Sequence, residues 1–142
     1  IDTIQLYSQE FYNLIILGIP LGLLTTNILF INQYPDYTSD KKVGKNHLVV
    51  LLGKKASRWI YALNSALAVG SLYFISENIL NETQSSLFLY VLIPITMIYS
   101  YYLISGLLKY YNSRELIKYN IHTIYFHMFF SFIYMIILAN FQ

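Results

Sequence analysis

Long apolar runs separated by short polar stretches form the dominant pattern of the chain. A helix needs about 20 apolar residues to cross a bilayer. Four runs reach that length, at residues 11–31, 57–76, 86–108 and 119–139. They lack the alternation of apolar and polar residues that is typical of a barrel wall. The pattern therefore predicts an all-α protein, a polytopic transmembrane bundle of four membrane helices.

The composition supports a membrane protein and narrows its chemistry. Hydrophobic residues make up 56% of the chain and charged residues only 11%, whereas a soluble domain carries roughly a quarter charged residues. The chain contains no cysteine, which excludes disulfides, thiolate catalysis and cysteine metal sites. Its basic residues are few and are explained by membrane topology, so nothing indicates nucleic-acid binding.

The basic residues predict how the chain is oriented in the membrane. Six of the nine lie at 41–58 and three at 109–118. With four crossings, these two stretches lie on the same side of the membrane, and the positive-inside rule assigns that side to the cytoplasm. We therefore expect a multi-pass protein of the cell (inner) membrane, with a cytoplasmic motif loop at residues 32–56 and both termini on the outer side.

Polar residues recur at intervals of four where the first apolar run ends: Asn32, Asp36 and Asp40. If the first helix continues past the membrane face, these residues stack on one side of it. Two carboxylates and a carboxamide are oxygen ligands that suit Mg²⁺, which proteins usually hold with one or two carboxylates and substrate phosphates. The spacing predicts half of a clamp for a metal and a diphosphate. Charged residues that merely flank a membrane helix are an equal alternative on spacing alone.

Basic residues follow this acidic stretch at once. Lys41, Lys42 and Lys45 supply the point charges that bind a phosphate. Gly44 lets the backbone turn close to such a group. The two features together favour a site for a phosphorylated ligand beside the carboxylates.

The whole stretch 32–53 resembles the second aspartate-rich motif of the UbiA superfamily of intramembrane prenyltransferases. It is most similar to the motif of the 1,4-dihydroxy-2-naphthoate prenyltransferases of menaquinone biosynthesis, N-x-x-x-D-x-x-x-D-x-x-x-G-K-x-[TS]-L-x-x-x-L-G. The matching positions are Asn32, Asp36, Asp40, Gly44, Lys45, Leu48 and Gly53. The sequence departs from the motif at His47, where the family has Thr or Ser. The resemblance implies that residues 1–142 form the C-terminal part, with the last four helices, of a nine-helix UbiA-type fold.

The resemblance also implies an activity, the Mg²⁺-dependent transfer of a polyprenyl group from polyprenyl diphosphate to an aromatic acceptor at the membrane. This would make the protein a prenyltransferase, a transferase of alkyl groups other than methyl. Carried over by position, Asp36 and Asp40 would be the catalytic residues and would bind Mg²⁺, with Asn32 assisting. The implied substrate-binding residues are Asn32, Lys41, Lys45 and Asn27. For Asn27, a packing contact between helices is an equally good interpretation.

One element of the family pattern does not occur in the sequence. The first aspartate-rich motif, N-x-x-x-D-x-x-x-D, is absent, and Asp2 is the only aspartate outside the second motif. A complete site needs both motifs. We therefore expect the N-terminal half of the same enzyme, or a partner chain, to supply the first motif, and we expect residues 1–142 alone to be inactive.

Two other functions stay open from the sequence. A transporter or channel segment could use Asp36 and Asp40 as an ion site, although these residues lie at a basic membrane edge rather than deep in the bundle. A non-catalytic helical module could pair with another subunit. His122 and His127 are five residues apart, which does not suit a metal pair on a helix. We expect them to make structural polar contacts, or one of them to line the acceptor pocket.

Overall fold

The structure, a computed structural model, describes the backbone of residues 3–139 and the side chains of residues 8–139. All regular structure in this described range is helical, and no strand occurs in it. The α-helices are α1 Thr3–Lys42, α2 Leu48–Leu52, α3 Lys54–Asn78, α4 Glu82–Leu87, α5 Ile93–Tyr110 and α6 Leu116–Ala139. A π-helical turn, Phe88–Leu92, joins α4 to α5 without a break. The all-α fold predicted from the sequence is confirmed.

Within the described part of the chain, four helical segments are long and apolar enough to cross a membrane: Ser8–Lys42, Lys54–Asn78, Glu82–Tyr110 and Leu116–Ala139. The prediction of four membrane helices is therefore confirmed. The last three segments begin three or four residues before the predicted starts. Hydropathy marks only the part of a helix that contacts hydrocarbon, whereas helical hydrogen bonding continues into the polar interface.

The first helix runs through the stretch that was predicted to be a loop. Helix α1 has 40 residues and contains both Pro20 and Pro35. Of the predicted loop 32–56, only residues 43–47 and Gly53 lie outside helices. Proline removes a single N–H donor, and α1 remains packed on the bundle where its apolar run ends, at the fully buried Ile31 and Tyr34. This packing explains why the helix does not end with its apolar run.

The long helices form a four-helix bundle in which each contacts two neighbours. Helix α1 packs against α3 and α6, and α5 packs against the same two helices. The ends of α1 and α5 and the starts of α3 and α6 therefore lie at one end of the bundle, which we call the motif end. The motif end contains both basic stretches of the sequence.

Tyrosine hydroxyls connect the helices inside the bundle. Tyr34 Oη lies 2.9 Å from Ser57 Oγ, and Tyr61 Oη lies 3.0 Å from Thr123 Oγ1. Tyr134 donates to the carbonyl of Leu17 at 2.8 Å. Buried tyrosines usually find such partners because an unpaired hydroxyl in an apolar core costs free energy. These bonds fix how α1 and α3 pack against each other and against α6.

Candidate functional site

The acidic stretch lies on one face of the C-terminal end of α1, as the spacing predicts. Steps of four residues turn a helix by about 40° beyond a full turn, so Asn32, Asp36 and Asp40 stay in line. Asn32 and Asp36 are exposed and Asp40 is half-buried. Tyr34, between them in sequence, points the other way and is fully buried in the bundle. The acidic face (Asn32, Asp36 and Asp40) is therefore turned away from the described bundle.

The chain folds back on Asp40 immediately after α1 ends. Lys45 Nζ donates to Asp40 Oδ1 at 2.7 Å, and the Lys45 backbone N–H donates to the Asp40 carbonyl at 3.0 Å. Gly44 makes this return possible with a φ of 76°, a conformation that side chains other than glycine rarely adopt. The hydrogen bond to Asp40 raises the pKa of Lys45 above its ordinary value. The ammonium therefore stays protonated beside the acidic face at neutral pH.

His47 is a second partner of Asp40 that the motif comparison did not predict. Its Nδ1 accepts from the Val50 backbone N–H at 3.3 Å and so caps the short helix α2. The other ring nitrogen, Nε2, then carries the proton and lies 3.0 Å from Asp40 Oδ2. Thr and Ser, the family's residues at this position, are themselves preferred N-caps. That preference was the available signal that position 47 begins a helix.

The other predicted cation, Lys41, contacts an aromatic ring rather than the acidic face. Its Nζ lies 5.7 Å from the centroid of the Tyr37 ring, and Lys54 Nζ lies 5.5 Å from the same centroid. Both distances fall within the range of cation–π attraction. Of Lys41 and Lys45, the two lysines predicted to bind substrate, the structure places only Lys45 directly beside a motif carboxylate.

Asn27 lies between helices rather than on the acidic face. It is 1% exposed, and its amide donates to Ser65 Oγ at 2.9 Å and to the Tyr61 carbonyl at 3.3 Å. Its Oδ1 is buried and has no hydrogen-bond partner among the described residues. These contacts are those of a packing residue between α1 and α3, and a contact with substrate stays a prediction.

A half-open cavity of about 490 Å³ lies at the motif end, between α1 and the connection from α5 to α6. Tyr34, Lys54, Tyr111 and Arg114 are among its lining residues, and the acidic face is not. It is therefore a different surface of α1 from the one that carries the motif carboxylates. The cavity and the acidic face are therefore two candidate sites at this end of the molecule.

The oxygen atoms of the acidic face provide some, but not all, of the ligands that a divalent cation needs. Asn32 and Asp36 present a carboxamide and a carboxylate to open space, which is the hard-ligand chemistry that Mg²⁺ prefers. Both oxygens of Asp40 are engaged, by Lys45 and by His47. Among residues 8–139, no three His, Asp or Glu side chains are close enough together to hold a metal ion. A metal bound here would need further ligands from a phosphate or from other protein groups.

The two histidines of α6 lie in different surroundings, as their five-residue spacing predicts. His127 Nε2 lies 2.8 Å from Thr25 Oγ1 on α1. The ring of His122 packs at 5.5 Å against Tyr102, within a group of aromatic rings on α5 and α6. The two rings therefore do not form a paired metal site.

Comparison with known proteins gives one match. A family model described as the UbiA prenyltransferase family matches residues 6–137. This range contains the whole motif stretch and nearly all of the four membrane helices. No curated protein and no solved structure matches the chain.

Proposed function

Since the chain belongs to the UbiA prenyltransferase family, we propose that it takes part in transferring a polyprenyl group from polyprenyl diphosphate to an aromatic acceptor. We propose 1,4-dihydroxy-2-naphthoate as that acceptor, in menaquinone biosynthesis. Membership of the family supports the type of reaction, and the residues of the motif from Asn32 to Gly53 support 1,4-dihydroxy-2-naphthoate as the acceptor. One observation carries the proposal: the carboxylates of α1 share one face, and a protonated lysine is folded back onto it.

We propose that Asn32, Asp36 and Asp40 bind Mg²⁺ and that the two aspartates are catalytic. When bound, Mg²⁺ supplies positive charge that stabilises a departing diphosphate. Lys45 lies at the same place and can donate to a diphosphate oxygen in exchange for its bond to Asp40. Lys41, in the last turn of α1, would be a second donor. Such preorganised cations stabilise the negative charge that develops as the allylic C–O bond breaks.

The rest of the site would come from a second acidic motif. The donors present provide only part of a metal site, and the acidic face is exposed toward the outside of the bundle. We propose that the N-terminal half of the same enzyme, or a partner chain, packs against this face and supplies the remaining carboxylates. The motif end would then lie on the cytoplasmic side. The terminal residues that were predicted to lie outside the cell are not among the described residues.

The test uses the full-length enzyme in lipid nanodiscs, with farnesyl diphosphate and 1,4-dihydroxy-2-naphthoate as substrates. Asp36→Ala should abolish Mg²⁺-dependent prenylation while the protein still inserts and purifies normally, because the substitution removes an exposed carboxylate and no packing contact. Glu77→Gln is the matched control, since it removes one exposed carboxylate at the opposite end of the bundle.

Two results would overturn the proposal in different ways. Normal prenylation by Asp36→Ala would remove the acidic face from the reaction. Failure of the wild-type enzyme to prenylate the naphthoate, with 4-hydroxybenzoate accepted instead, would keep the prenyl transfer and remove the proposed acceptor.

A further inference from the structure

A polar pair lies in the membrane-spanning part of the seam between α1 and α6. Thr25 Oγ1 and His127 Nε2 are 2.8 Å apart, Thr25 is exposed, and His127 is half-buried. Their neighbours on this outer surface are apolar, among them the exposed Leu29 and Met128. Ionisable residues inside membrane segments almost always face a protein interior or a cavity, since exposure to lipid is costly. We therefore expect the pair to face a site rather than lipid.

The pair lies on the same side of α1 as the acidic face. Thr25 precedes Asn32 by seven residues and Asp36 by eleven, so the helical repeat keeps all three within about 40° of one another. The helical rise places Thr25 roughly 10 Å from the level of Asn32 and roughly 16 Å from that of Asp36. A diphosphate at the acidic face, its allylic carbon and one bicyclic aromatic ring would span about this distance.

The same seam opens into an apolar groove on the other side of the pair. The groove has a volume of about 370 Å³ and is lined by Leu14, Gly18 and Tyr134, among others. The Thr25–His127 pair is therefore the polar position between the acidic face and a purely apolar surface. A ligand with an aromatic body and a hydroxyl group matches that position.

The hydrogen bonds of the pair leave one ring nitrogen available. Thr25 donates its single hydroxyl proton to the Leu21 carbonyl at 2.8 Å, so its oxygen accepts from His127 Nε2–H. With Nε2 as the donor, Nδ1 is the nitrogen of the ring that can accept a hydrogen bond. Its hydrogen-bond partner among the described residues is Ser131 Oγ at 3.5 Å, which is too long for a strong hydrogen bond. Nδ1 can therefore accept a better donor.

We propose that Thr25 and His127 bind the aromatic acceptor, with His127 Nδ1 accepting a hydrogen bond from a phenolic hydroxyl of that substrate. Thr25 fixes the orientation of the imidazole ring. The inference rests on the proposed function, because it assigns the acceptor end of the same site. It predicts that acceptors without a hydroxyl bind poorly.

The experiment uses the full-length enzyme in nanodiscs and measures two quantities: equilibrium binding of radiolabelled 1,4-dihydroxy-2-naphthoate, and the KM for each substrate with farnesyl diphosphate as donor. In His127→Gln, the amide can still donate to Thr25, but no acceptor remains at the position of Nδ1. Loss of one hydrogen bond should raise the naphthoate Kd and KM about tenfold. The KM for farnesyl diphosphate should stay within about twofold.

A matched pair of threonine variants separates binding from folding. Thr25→Val removes the contact to His127 and should raise the naphthoate Kd about threefold, because the ring loses its orientation. Thr26→Val is the control, since Thr26 is also exposed and donates only to the Gly22 carbonyl. It should bind the naphthoate like the wild type. The threonine pair also provides the test if His127→Gln does not fold.

The outcomes distinguish this inference from the proposed function. An unchanged naphthoate Kd in His127→Gln, or an equal rise in both KM values, would overturn the acceptor site while the transfer activity stands. A wild-type enzyme that binds the naphthoate through His127 without prenylating it would overturn the proposed function alone. A wild-type enzyme that binds no naphthoate at all would overturn the acceptor site.

Discussion

Two connections between helices lie at the motif end of the bundle, and the basic side chains at each of them have different partners. In the first, which follows α1, Lys45 pairs with a carboxylate on an exposed face. In the second, between α5 and α6, the cation comes from α3: Arg58 donates to the Leu108 carbonyl at 3.2 Å and stacks 4.8 Å from the Tyr111 ring. Basic residues mark both regions in the sequence, six at 41–58 and three at 109–118. The partner of each cation, rather than its charge, distinguishes a candidate site from a helix–helix contact.

The largest effect is expected when the contacts of Asp40 with the first connection are removed. Asp40→Asn keeps the shape of the side chain but removes the charge that holds Lys45 and His47. Transfer by the full-length enzyme should fall by about 10²- to 10³-fold, the usual result of losing one preorganised electrostatic group. The measurement is kcat for prenylation, with thermal stability as the control. A kcat near that of the wild type would mean that the first connection is as structural as the second.

Substitutions in the helices beside the second connection should lower the stability of the protein rather than its activity. Gly106 on α5 lies directly against the Tyr119 ring of α6, and a Cβ at that position would overlap the ring. Gly106→Ala should therefore destabilise the protein by about 1–3 kcal/mol through overpacking, although alanine favours a helix. Gly70→Ala is the matched control because its Cβ would meet nothing within 4 Å. Equal melting temperatures for the two variants would contradict this packing.

A smaller effect is expected when the Arg58 contacts are removed. Arg58→Met keeps an unbranched apolar stem but removes the hydrogen bond to Leu108 and the stacking on Tyr111. The loss should amount to about 1 kcal/mol of stability, with KM for both substrates unchanged. A thermal melt and a kinetic assay of the full-length enzyme test the two halves of this prediction. A raised KM for the diphosphate would place Arg58 in the site after all.

The smallest effect should come from His47→Thr, which restores the residue type of the family motif. Threonine can cap α2 as histidine does, so stability should change by less than about 1 kcal/mol. The bond to Asp40 is lost, but Lys45 still holds that carboxylate, so kcat should change less than threefold, or about 0.7 kcal/mol. A much larger fall in kcat would show that Asp40 depends on the imidazole for its position.

The sequence was sufficient for the features that depend on periodicity. Hydropathy alone located the four membrane helices, and the spacing of Asn32, Asp36 and Asp40 placed them on one face. The extension of α1 could not be predicted in the same way, because Pro35 and the charges after it are typical of a helix end. What holds the helix there is the burial of Ile31 and Tyr34, which is a tertiary effect.

Contacts between distant parts of the chain could not be predicted from the sequence pattern. Thr25 and His127 are 102 positions apart, and no local spacing relates them. The bond between Lys45 and Asp40 requires the positive φ of Gly44, so the motif identified both residues without predicting that they touch. Asn27 could be a substrate contact or a packing residue from its sequence position, and only its partners on α3 favour packing.

The length of α1 has a consequence for how a lipid-linked substrate would meet water. Forty residues of helix measure about 60 Å, roughly twice the thickness of the hydrocarbon layer. Asp40 therefore lies roughly 14 Å beyond Ile31, the last residue of the predicted membrane run. A substrate with a charged head group and an apolar tail could lie along α1, with its head group in water and its tail in the hydrocarbon layer. Bond cleavage at the head would then require no charge to enter the membrane interior.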